Sequence, residues 1–125
     1  MRTLLLIGSG SFIGGILRYL TSQFIYNKSA LTFPFGTLGV NIIGCFFIGI
    51  LFGMTEKASI SFEARLFLAT GICGGFTTFS AFSQETFSLL REGQFTYAVI
   101  YIVLSVVIGL LATFSGIMAL KLFQV

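Results

Sequence analysis

The sequence predicts an all-α integral membrane protein with four transmembrane helices, and composition, segment length and linker length all point there. Of 125 residues, 56% are hydrophobic and 9% are charged, and mean hydropathy is +1.03. A soluble domain is about one-quarter charged, so this chain cannot clothe its surface in ions and lipid must be its main solvent. A helix needs about 20 apolar residues to cross a hydrocarbon core of roughly 30 Å. Four segments qualify, about Thr3–Ile25, Phe35–Met54, Phe62–Leu90 and Phe95–Leu122. The linkers Tyr26–Pro34, Thr55–Ser61 and Arg91–Gln94 are too short for a soluble domain, so residues 1–125 read as a single membrane domain.

The first segment opens on Met1-Arg2 and runs on through Arg18 without an evident small-residue cleavage site, which reads as a retained span. Arg18 lies near its far end. Its guanidinium can snorkel to the interface, or draw anions into a vestibule. The second span follows Pro34, a residue tolerated where a helix begins. It starts Gly36-Thr37-Leu38-Gly39-Val40-Asn41. Thr37 and Asn41 share a helix face, and the Asn41 amide can bond a neighbouring helix or donate to an anion.

The third span carries Gly71-Ile72-Cys73-Gly74-Gly75-Phe76-Thr77-Thr78-Phe79-Ser80-Ala81-Phe82-Ser83. Adjacent glycines and then threonines are poor helix formers, and the uncharged stretch from Leu66 to Gln84 puts them near its centre. This predicts a helix broken at Gly74, Gly75, Thr77 and Thr78, as against an unbroken helix whose glycines serve packing. Irregular backbone at that depth must be buried in protein or line a cavity. Freed carbonyls suit a hard cation such as sodium, enclosed where two copies meet on an axis. Phe76, Phe79 and Phe82 recur every three residues, as packing filler or as ring edges facing an anion. Glu85, near the end of the span, is expected to stay hydrated. In the fourth span Tyr101, Ser105, Gly109 and Thr113 form a narrow polar stripe that, with Ser80 and Ser83, can line a hydroxyl track. Back-bonding to the chain's own carbonyls is the simpler use of such hydroxyls.

Charge gives little orientation signal. Arg2, Lys57, Arg65 and Lys121 fall on one side, and Arg18, Lys28 and Arg91 on the other. That near balance predicts insertion in both orientations and an antiparallel homodimer, as against a weakly biased chain that still inserts one way. Small residues four apart (Gly10/Gly14, Gly49/Gly53, Gly71/Gly75, Ser105/Gly109) predict close helix packing without saying which helices meet. Basic residues are scattered, so no nucleic-acid surface is implied. Cys45 and Cys73 lie in apolar runs and read as small packing residues. With no histidine in the chain, His-based zinc sites and catalytic triads are excluded. No enzyme is indicated.

Three strings, Gly14-Gly15-Ile16-Leu17-Arg18-Tyr19, Gly36-Thr37-Leu38-Gly39-Val40-Asn41 and Gly74-Gly75-Phe76-Thr77-Thr78-Phe79-Ser80-Ala81-Phe82, appear in an order and spacing that resemble the Fluc (CrcB) family of fluoride channels along the whole chain. The resemblance implies a dual-topology antiparallel homodimer in the cell membrane, with two fluoride pathways. It implies a structural central sodium ion held by carbonyls that match Gly74 and Thr77. Asn41, Phe79 and Phe82 match the family's pore residues, with Ser80, Tyr101 and Ser105 on the polar track. Ala81 stands where family members often carry threonine. The implied function is passive exit of cytoplasmic fluoride, which limits its toxicity. The alternatives are a proton-coupled exporter like the small multidrug resistance proteins, and a non-transporting membrane subunit. The exporter needs a carboxylate in its first helix, and Thr3–Ile25 has none.

Overall fold

The computed structural model describes residues 1–28 and 32–123; residues 29–31, within the expected first linker, lie outside them. Among the described residues the chain is helical, with no strand. Helices α1 (Arg2–Lys28), α2 (Phe35–Glu56) and α6 (Phe95–Phe123) are single elements. Between α2 and α6 lie α3 (Phe62–Arg65), a π-helical segment (Leu66–Cys73), α4 (Gly74–Phe76) and α5 (Phe79–Arg91). Among the described residues, four helical stretches are long and apolar enough to cross a membrane: Arg2–Asn27, Phe35–Glu56, Phe62–Arg91 and Phe95–Phe123. Their ends lie within three residues of the sequence-based limits, because apolar length dominates in lipid.

Local chemistry fixes the ends. Ser61 caps α3, its Oγ accepting from the Ala64 N–H at 3.1 Å. Helix α5 stops at a Schellman turn: Gln94 N–H reaches the Leu89 carbonyl at 2.8 Å, with Gly93 at φ +76° between them. Helix α2 ends in the same way, with Ser59 N–H on the Met54 carbonyl at 3.0 Å. There the left-handed residue is Ala58, at φ 53°.

Helix α1 packs on the π-helical segment and α4, and α2 packs on α6. Both contacts bring backbones together. A Cβ added to Gly10 would lie 2.8 Å from the Gly71 Cα, and one on Gly116 would lie 3.1 Å from the Gly49 Cα. In lipid, such close backbone packing replaces the hydrophobic drive between helices. The π-helical stretch is a departure from the regular helix expected there. Its Leu, Phe, Ala, Thr and Gly residues are ordinary for a membrane helix, so composition does not announce it. A buried cluster of Phe33, Leu38, Leu89, Ala98 and Tyr101 ties the start of α2 to α5 and α6.

Candidate functional site

Helical dihedrals lapse at Thr77 (φ −80°, ψ 155°) and Thr78 (φ −148°, ψ 111°), both extended. Gly74 itself is helical (φ −63°, ψ −37°). The conformational change thus falls on the β-branched threonines, which favour extended backbone. Gly75 serves contact: a Cβ there would stand 2.6 Å from the Ser11 carbonyl oxygen on α1.

Asn41 closes over the extended pair. Thr78 N–H donates to Asn41 Oδ1 at 2.8 Å, and Asn41 Nδ2 donates to the Thr78 carbonyl at 3.1 Å. The Ala81 N–H turns to Thr78 Oγ1 at 3.1 Å, capping α5. In an unbroken helix those two N–H groups, of Thr78 and Ala81, would close on the carbonyls of Gly74 and Thr77. Both carbonyls therefore lose their helical donors, and Gly74 is exposed on the chain's surface. Uncharged oxygen donors of this kind fit a hard cation such as sodium.

Two cavities flank this point. One, of about 380 Å³, is polar and is lined by Arg18, Ser22, Thr37, Ser80, Gln84 and Glu85 among others. The second, of about 390 Å³, includes Asn41, Cys73, Thr77, Phe79, Phe82 and Ser105. Thr78 lines both. The Phe79 and Phe82 ring centroids are 5.5 Å apart, at 47°.

Glu85 is half-buried and directly bonded. Thr37 Oγ1 donates to Oε1 at 2.6 Å and Tyr101 OH donates to Oε2 at 2.7 Å. The carboxylate therefore bridges α2, α5 and α6, where the sequence suggested a hydrated end residue. A usable signal was present: Glu85 lies three residues after Phe82, so both share a face of α5.

A profile of the family described as CrcB-like protein, Camphor Resistance (CrcB), matches residues 5–117. The chain belongs to the CrcB family. Curated relatives are alike over nearly their full length. The Fluoride-specific ion channel FluC of Flavobacterium psychrophilum is 46% identical over 122 residues, covering 97% of this chain and 98% of the relative. Those of Phocaeicola vulgatus and Rhizobium meliloti are 45% and 43% identical, covering 94% and 97% of this chain and 97% and 98% of the relatives. Four apolar helices and membership of this family make the chain a multi-pass membrane protein.

In this CrcB chain the residues singled out from sequence divide into groups. Arg18 and Ser80 face the polar cavity, while Asn41, Gly74, Thr77, Phe79, Phe82 and Ser105 face the other. Thr78 joins the two groups, and Gly75 packs behind on α1. Tyr101 lines neither of these two cavities; it is fully buried behind Phe82, at 5.0 Å between ring centroids, with its hydroxyl on Glu85. The Ser105 Oγ is buried without a hydrogen-bond partner among the described residues.

Proposed function

We propose that this chain forms a fluoride-selective channel through which cytoplasmic fluoride leaves down its electrochemical gradient. The observation that carries the proposal is that Thr78 lines two unlike cavities, one holding the charges of Arg18 and Glu85 and one holding aromatic rings and the Ser105 hydroxyl, unpartnered among the described residues. The names of the similar proteins from three bacteria give the ion.

Fluoride is small and strongly hydrated, so a pore must replace much of its water with donors yet still release it. Arg18 offsets the charge of the Glu85 carboxylate in the polar cavity, which lowers the repulsion an entering anion would meet there. Ser80 offers a hydroxyl in the polar cavity, 3.2 Å from that of Thr78. Asn41 uses Oδ1 and one Nδ2 hydrogen on Thr78, which leaves its second Nδ2 hydrogen for an ion. The positive ring edges of Phe79 and Phe82 touch an anion without holding it tightly. Beyond them the Ser105 hydroxyl, without a partner among the described residues, is a donor free to meet an anion. Tyr101 steadies this track from behind, through Glu85 and Phe82.

The assembly proposed is an antiparallel, dual-topology homodimer of one four-helix domain per chain, residues 1–125, with two pores. Phe79 lines a cavity yet is 79% exposed in a single chain, which favours a second copy as the missing wall. The third helix is broken at the membrane midpoint, and the Gly74 and Thr77 carbonyls of both copies hold a structural sodium ion. When bound, that ion supplies positive potential at the membrane centre, where an anion is otherwise most costly. Anion efflux from liposomes containing the purified protein, with an ionophore carrying counter-charge, tests the function. Fluoride released fast while chloride is retained is the expected result. Retention of fluoride by folded protein would overturn the assignment.

A further inference from the structure

We propose that Phe33, in the segment leading into α2, is a positioning residue for the anion track, acting through Tyr101 on Phe82; this rests on the channel proposed above. A linker phenylalanine at a membrane edge would ordinarily meet lipid or water. This one is 6% exposed. The backbone aims it inward. Pro34 has φ −78° and ψ 62°, and the Phe35 N–H donates to the Phe33 carbonyl at 2.8 Å. That combination is an inverse γ-turn. Proline holds its φ by covalent geometry, so the turn is stiff, and it folds the Phe33 ring back against Phe35 at 4.7 Å between centroids.

From there a chain of ring contacts runs inward. Phe33 meets Tyr101 at 5.5 Å and 71°, and Tyr101 meets Phe82 at 5.0 Å and 65°, both edge-on. Phe82 in turn meets Phe79 at 5.5 Å. A tyrosine tethered only by its hydroxyl can pivot about that bond. Tyr101 is tethered to Glu85 at its tip and flanked by Phe33 and Phe82, so its ring has one place to be. Removing Phe33 opens space behind Tyr101, lets its ring turn, and frees the ring of Phe82, which lines the cavity, to change its orientation. Ring orientation matters because only the edge of an aromatic ring attracts an anion. Phe33 touches no ion itself.

The test uses the full chain in liposomes and in detergent. Phe33→Ala is expected to slow fluoride efflux by about tenfold, the change that loss of one edge-on ring contact can produce. Tyr101→Phe alone sets a second baseline, and Phe33→Ala on that background should slow efflux no further. Should Phe33→Ala protein fail to elute like the parent, Phe33→Leu removes the ring while keeping most of the volume and is read in the same way. Near-ultraviolet circular dichroism supplies a readout separate from transport. The difference spectrum between parent and Tyr101→Phe should shrink when Phe33 is replaced. Parental efflux from well-folded Phe33 variants, multiplicative losses in the double variant, or an unchanged tyrosine spectrum would each overturn the positioning role. Failure of the parent itself to pass fluoride would instead overturn the channel, while the spectral test of Phe33 still stands.

Discussion

Asn41 serves both ends of its amide on one residue, and its orientation follows from that: only Oδ1 can accept the Thr78 N–H and only Nδ2 can donate to the carbonyl. Asn41→Leu strands both groups and is expected to lower stability by about 1–3 kcal/mol, read from unfolding in detergent. Asn41→Asp keeps the acceptor but adds a negative charge to the cavity. It should melt closer to the parent yet pass far less fluoride, and equal flux would remove Asn41 from the route. Phe79→Ile and Phe82→Ile keep apolar bulk and lose the ring edge; each should cut fluoride flux by about tenfold or more with assembly intact. Unchanged flux in both would sink the pore assignment. That an asparagine within a membrane helix needs partners was legible in the sequence. Its partner was not, because Thr78 lies 37 residues away and only packing brings the two together.

Two helix ends with the same geometry differ in chemistry at the scale of the element. Gly93 occupies the left-handed position after α5, whereas Ala58 occupies it after α2. An L-residue with a Cβ pays about 1 kcal/mol for that conformation, and glycine does not. Ala58→Gly should therefore raise the melting temperature, and Gly93→Ala should lower it. Identical melting in both variants would show that these ends fray before the protein unfolds. In the third span the run of poor helix formers predicted a break at Gly74, Gly75, Thr77 and Thr78. The structure puts the extended dihedrals on Thr77 and Thr78 and leaves Gly74 helical. Sequence could not separate the two roles, because glycine weakens a helix and permits close packing alike. At Gly75 the nearby Ser11 backbone makes packing the governing need.

At the scale of the whole molecule, the near-even split of basic residues and the bare Phe79 ring bear on assembly. Labelling of a terminal cysteine in intact cells should reach both sides of the membrane, and labelling from one side only would refute dual topology. Exchange of sodium for a larger cation should lower the melting temperature of the assembled protein if the Gly74 and Thr77 carbonyls hold the ion. An indifferent melting curve would count against that site. By itself the sequence determined the class and the spans, because membrane insertion sums apolar length along the chain and needs no distant contact. It also singled out Arg18, Asn41, Ser80 and Ser105, which line the two cavities, and Tyr101, which lines neither. Only the tertiary structure decided which glycines touch, that Glu85 is held by Thr37 and Tyr101, and that Phe33 points inward. Those depend on how helices distant in sequence lie against one another, and a chain in lipid chooses that arrangement by fit of backbone and side chain rather than by hydrophobicity.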